Sequence, residues 1–121
     1  MKVQRSAERR FRQLRSGKTG EQYSLSAVLS EATGSLFVHQ EILEPGRRSS
    51  APHRHSQGEE MVYMLKGEAI AVEANEEILL KAGDTACFDP SLEQLHWIEN
   101  RSPEPAEFLV IRPRHAHDTH F

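Results

Sequence analysis

The sequence predicts an all-β fold, an antiparallel sandwich or barrel with a short basic helix or arm in front of it. Three observations carry this expectation. From Tyr23 onward, short β-rich runs alternate with turn signals at a spacing of roughly ten residues. Helical periodicity is almost absent after residue 20. The 121 residues suffice for one domain with its own core.

Residues 4–15, "QRSAERRFRQLR", read as a strongly basic helix whose apolar side consists of Phe11 and Leu14, three apart. Residues 1–20 carry seven Lys or Arg and one Glu, and the remainder is acidic at about −9. The overall net charge of −3 gives no electrostatic case for nucleic acid. No groove-reading motif follows the basic stretch. Ser16-Gly17-Lys18-Thr19-Gly20 is a loop. It is not a phosphate loop, because position 12 is Arg where the earlier glycine would stand and no strand is expected before it.

The strands follow in order. "YSLSAVLS" alternates apolar and small polar residues, and "SLFVHQEIL" stops at Glu44-Pro45-Gly46. "MVYML" ends at Lys66-Gly67, "AIAVEA" at Asn75-Glu76, and "ILL" at Ala82-Gly83-Asp84. "TACF" ends at Asp89-Pro90 and "AEFLVI" at Arg112-Pro113. The expected organisation is a basic arm over 1–20, a barrel over 21–114 and a His-containing tail over 115–121. Cys87 is the only cysteine, which excludes an internal disulfide and fits a reducing compartment. In "TACF" it is expected as a small core residue. No apolar run is long enough for a membrane span and no signal-peptide segment follows Met1, so a soluble cytoplasmic protein is expected.

The chemistry concentrates in "PHRHSQGEEMVYMLKG", 52–67. Side chains two apart on a strand share a face at roughly 6–7 Å, so His53 and His55 can aim both imidazoles at one point. Ser56-Gln57-Gly58 permits a reversal, and Glu59-Glu60 opens the next strand about 5 Å away. Two nitrogens and a carboxylate oxygen with open positions form the donor set of catalytic zinc and non-haem iron centres. A fourth ligand has to come from a distant strand, and His96, beside Trp97 and Ile98, is the strongest candidate.

These residues resemble a family. "PGRRSSAPHRHSQGEEMVYMLKG" resembles the first motif of the cupins through Gly46, His53, His55, Glu60 and Gly67. "GDTACFDPSLEQLHWIEN" resembles the second motif through Gly83, Pro90, His96 and Asn100. The second motif departs from the family pattern: its glycine-to-histidine interval is longer, and Leu92-Glu93 stands where a glycine is usual. The resemblance implies an antiparallel double-stranded β-helix, the jelly-roll barrel, with His53, His55, Glu60 and His96 as ligands to one divalent transition metal ion (iron, manganese, nickel, cobalt or zinc). The family interval to Gly67 selects Glu60 over Glu59. Period two then puts Val62 and Met64 on the ligand face as apolar pocket wall, and Glu59, Met61, Tyr63 and Leu65 on the other. Asn100 is expected to support the loop after His96.

Other histidines carry less. His115, His117 and His120 belong to the tail, and His39 is expected to be structural. Arg47 and Arg48 could meet an anionic substrate at the rim. The expected function is a metal-binding cupin acting on a small polar substrate, a sugar phosphate or carbonyl compound, by isomerisation or oxygenation. The alternative is a non-enzymatic ligand-binding or sensor barrel. A second titratable group in the pocket would favour the enzyme. The expected partners are a small-molecule ligand and a second copy in a homodimer, without membrane or nucleic acid.

Overall fold

The structure is a computed structural model that describes residues 1–53 and 58–114. The described residues form nine strands: β1 Arg12–Arg15, β2 Gln22–Val28, β3 Leu36–Leu43, β4 Glu60–Lys66, β5 Glu68–Glu73, β6 Glu76–Lys81, β7 Thr85–Phe88, β8 His96–Glu99 and β9 Ala106–Pro113. They form a six-stranded sheet in the order β1-β2-β3-β9-β4-β7 and a three-stranded sheet in the order β6-β5-β8, with every pairing antiparallel. The all-β expectation holds, and no α-helix occurs among the described residues. None of their helices is long and apolar enough to cross a membrane.

The two sheets bury their facing sides against each other. Leu43, Val62, Met64, Ala69, Leu80, Phe88, Ile98 and Phe108 form the core cluster. On β4 the alternation is strict for the inward set. Glu60, Val62 and Met64 are buried, whereas Tyr63 and Leu65 are exposed. This is the two-residue period of a strand with one face on the core.

The structure corrects the expected N-terminal helix, with the missing strand that followed from it, and the expected burial of Cys87. The basic helix over 4–15 is a single 3-10 turn at Ser6–Glu8 followed by strand β1. Two apolar residues give a helix little to bury. As a strand, the segment instead pairs its backbone with β2, and the Gln13 amide donates to the carbonyls of Tyr23 and Ser24 at 3.0 and 3.4 Å. Ser16–Gly20 is therefore the β1–β2 hairpin loop, in which Ser16 Oγ accepts from the amides of Lys18 and Thr19. A strand thus precedes the G-K-T sequence, contrary to expectation. It is followed by another strand and not a helix, so the exclusion of a phosphate loop stands on that ground. The second correction concerns Cys87, which is exposed. In β7 the inward position is Phe88, and period two turns its neighbour outward.

Gly67 makes the turn between the sheets. Its φ is +76°, and a Cβ placed there would lie 2.6 Å from the Pro105 carbonyl oxygen and 3.1 Å from Ala106 Cα. Only glycine meets both requirements.

Candidate metal centre and its cavity

Glu60 is the first residue of β4 and His96 the first of β8. His53 reaches the same place through an isolated antiparallel bridge to His96, with reciprocal backbone hydrogen bonds of 3.2 and 2.8 Å. The side chains converge. Glu60 Oε1 lies 3.4 Å from His96 Nε2 and 3.9 Å from His53 Nε2, and the donor atoms of all three lie within 4.8 Å of one another. An ion bonded at about 2.0–2.2 Å needs donors about 3–4 Å apart, so the two nitrogens and the carboxylate oxygen fit a transition metal. Both Glu60 and His96 are buried, and Glu59 is exposed on the opposite face.

The surroundings orient the rings. His53 Nδ1 lies 2.8 Å from Ser50 Oγ and 3.2 Å from the Ala51 carbonyl oxygen. Donation from Nδ1 to that carbonyl leaves the Nε2 lone pair facing Glu60. The His96 ring is stacked flat on Phe88, with centroids 3.9 Å apart and planes 2° apart. It meets the His53 ring at 4.4 Å and 59°.

The second motif's departure from the family pattern has a structural answer. The additional length forms a 3-10 turn, Pro90–Leu92, capped by the Asp89 carboxylate, which accepts from the Ser91 amide at 2.9 Å. Glu93 then takes the left-handed conformation, with φ 54° and ψ 30°. That is the conformation glycine adopts without strain, and it costs a side-chain-bearing residue roughly 1–2 kcal/mol.

His53, Glu60 and His96 line a cavity of about 180 Å³ together with Leu14, Phe37, Glu41, Trp97, Val110 and Arg112. Val62 lines it too, whereas Met64 packs in the core cluster and does not. Four residues along β4 carry Met64 about 13 Å beyond Glu60, past the cavity. Asn100 is fully buried away from the cavity. Its Nδ2 donates to the carbonyls of Leu43 and Glu104, both at 2.8 Å, and its Oδ1 accepts from the amide and hydroxyl of Ser102. These bonds fasten the loop after β8. His55, His115, His117 and His120 lie outside the described residues.

Sequence reasoning missed two cavity residues. Glu41 on β3 is buried and accepts from Ser24 Oγ at 2.5 Å and Ser26 Oγ at 3.4 Å. Burial pushes its carboxyl up to about 7, against the lowering by the Ser24 hydrogen bond and with a further rise from the Glu60 charge. The sequence signal was a glutamate on the inward period of a β-rich run. Arg112 on β9 stands over the Phe37 ring at 3.7 Å from its centroid, and Phe37 stacks in turn on His39. The arginines expected at the rim are elsewhere. Arg47 and Arg48 border a separate groove, where Arg48 makes a forked pair with Glu21 at 2.8 and 2.9 Å. His39 has the structural setting expected of it, with Nδ1 3.1 Å from Ser26 Oγ. Burial and then the charges of Arg112, Arg114 and Arg12 lower its pKa.

Comparison with known proteins agrees with this geometry. The cupin domain model matches residues 39–112, well over half of the chain. The chain belongs to the cupin family. A sugar phosphate isomerase of the cupin superfamily from Silicibacter pomeroyi is 31% identical, with a TM-score of 0.76 over 81% of this cupin and 64% of that protein. This cupin therefore spans less than two thirds of that isomerase. A predicted oxalate decarboxylase from Thermotoga maritima is 26% identical, with a TM-score of 0.78 over 93% of this cupin and 98% of that chain. A conserved protein with a double-stranded β-helix domain from Klebsiella pneumoniae is 30% identical, with a TM-score of 0.69 over 87% and 88% of the two chains. No curated protein matches this cupin.

Proposed function

We propose that this cupin is a mononuclear metal-dependent enzyme that isomerises a small sugar phosphate or a related anionic hydroxy-carbonyl compound. The observation that carries the reading is the composition of one cavity: two imidazoles and a carboxylate at metal-binding distances, and the Arg112 guanidinium in the same wall. His53, Glu60 and His96 hold the ion, with His55 as the fourth ligand on sequence grounds. A divalent ion bound there polarises a carbonyl or hydroxyl oxygen as a Lewis acid. Arg112 receives the phosphate or carboxylate end, for which a planar guanidinium is the suited partner. Trp97, Val110, Phe37 and Val62 keep the cavity wall largely apolar. The likeness to the Silicibacter isomerase supports the same substrate class. Glu41 favours an enzyme over a sensor barrel, because simple retention of a ligand requires no second titratable group beside the metal.

The proposal includes assembly as a homodimer, since β1, β7, β6 and β8 are edge strands that pairing would protect. Light scattering across micromolar concentrations tests this, and a monomer throughout would remove it. A cytoplasmic location follows the same reading, and fractionation of the source cells tests it.

The function is tested with protein purified anaerobically and analysed for metal. Iron, manganese, nickel, cobalt and zinc forms are incubated with aldose and ketose phosphates and followed by NMR. Interconversion that disappears on chelation and returns with metal is expected. Metal-loaded protein that converts none of them would overturn the reading.

A further inference from the structure

The described cavity wall contains five titratable or charged residues: Glu41, His53, Glu60, His96 and Arg112. Three are committed to the ion. A guanidinium is a hydrogen-bond donor without an acceptor site, which suits Arg112 to binding an anion and not to taking a proton from carbon. Glu41 remains. It is buried on the inward face of β3, directly across from Ser26 on β2 and Phe108 on β9. Ser24 donates to one carboxyl oxygen and Ser26 to the other, which fixes the group in the wall. Each oxygen has a further lone pair for the cavity.

We infer that Glu41 is the proton-transferring residue of this cavity, taking a proton from the carbon next to the substrate carbonyl and returning it to the carbonyl carbon. The inference rests on the isomerase reading above. In the forward step the C2–H bond breaks and its proton forms an O–H bond with the Glu41 carboxylate. The C–H electron pair becomes the C1–C2 double bond of an enediolate. The hydroxyl proton passes from O2 to O1, and Glu41 then releases its proton to C1. Substrate and product are isomers, so the cycle needs no oxidant or reductant, and Glu41 ends as it began.

Two physical points support the assignment. A buried carboxyl costs stability unless a cation or sufficient hydrogen bonds compensate it, and no cation is among the groups that shift Glu41. Purely structural use would be served as well by glutamine, which keeps an acceptor for Ser24. In addition, Glu41 lines the same cavity as His53, Glu60 and His96, so its carboxyl borders the space that a substrate held at the centre would fill, the placement acid–base transfer needs.

The experiment uses the full chain with its metal content measured. Wild type, Glu41→Gln and Glu41→Asp are incubated in D₂O with dihydroxyacetone phosphate and with ketopentose and ketohexose phosphates, and carbon-bound deuterium is read by NMR. In parallel, calorimetry measures binding of 2-phosphoglycolohydroxamate, an enediolate mimic, in buffers of different ionisation enthalpy. Expected are metal retention in all three proteins, loss of exchange by about 10²–10⁴-fold in Glu41→Gln, partial recovery in Glu41→Asp, and, at a pH where the carboxyl is ionised, proton release to buffer on hydroxamate binding that is larger in Glu41→Gln than in the two proteins whose carboxylate can take the hydroxamic proton. Active wild type with an equally active Glu41→Gln would overturn the role of Glu41 and leave the isomerase reading standing. Metal-loaded wild type that exchanges no probe would overturn both. A Glu41→Gln protein that fails to fold leaves Glu41→Asp to decide, where full wild-type rate with the carboxyl withdrawn by one methylene counts against the assignment.

Discussion

His53 and His96, distant in sequence, are joined by two reciprocal backbone hydrogen bonds of 3.2 and 2.8 Å. This bridge fixes the main chain beneath both imidazoles independently of any ion. The two candidate ligands thus sit on a framework that the backbone itself holds.

Side-chain replacement at the centre should accordingly affect metal more than fold. His53→Ala, Glu60→Ala and His96→Ala are each expected to lower metal affinity by at least about 100-fold, more than the loss of an outer hydrogen-bond partner. Glu59→Ala, on the exposed face, should leave it unchanged. Calorimetric metal titration of each variant checks this. Equal loss at positions 59 and 60 would contradict the strand register.

Ser50→Ala removes the hydroxyl 2.8 Å from His53 Nδ1. The ring keeps its backbone position but loses one of the groups that orient it. A drop in metal affinity of about 10–100-fold is expected, with thermal stability of the metal-free protein nearly unchanged. Calorimetry and melting of the same preparation separate the two effects.

Glu41 predicts a pH-dependent stability in metal-free protein. Its folded pKa is raised to about 7 from an ordinary 4.5. Between those values the folded chain keeps a proton that the unfolded chain has released, so stability falls as pH rises through that window. Below pH 4.5 both states are protonated and no cost arises. Above 7 both are ionised and the full cost, on the order of 3 kcal/mol, is present. Glu41→Gln should therefore gain stability over wild type at pH 8 and show little gain at pH 4, as read by urea denaturation.

Asn100→Ala should destabilise the fold by about 1–3 kcal/mol, because it leaves the carbonyl of fully buried Leu43 without its side-chain donor. Metal affinity of the surviving folded fraction should change far less than in His96→Ala. A loss of affinity as large as that of His96→Ala would make Asn100 part of the centre itself.

Strands β2 to β7 and β9 were legible because β-rich runs ended at turn signals, and the inward face of β4 was legible from period two. Strand β1 was not, because "RQLR" has neither alternation nor β-branched residues and becomes a strand only by pairing with β2. Strand β8 was hidden by its shortness, and only His96 and its neighbours were marked. His53, Glu60 and His96 were readable as candidate ligands from spacing and resemblance. Glu41 and Arg112 were not, since their value lies in which strands the topology places side by side. Strand β9 inserts between β3 and β4, and no local pattern announces that. Cys87 was misread because a small apolar residue in a strand has no face until the register is known.

Gly67 gives this architecture an unequal tolerance to change. It has no side chain, no proton to give and no part in holding an ion. Yet any Cβ there would press on Pro105 and Ala106, where β9 begins, and β9 positions Arg112 and borders both β3 and β4. In a saturation library selected for metal retention, position 67 would rank beside the candidate ligands in intolerance. Such data alone would then credit the turn with coordination it does not perform.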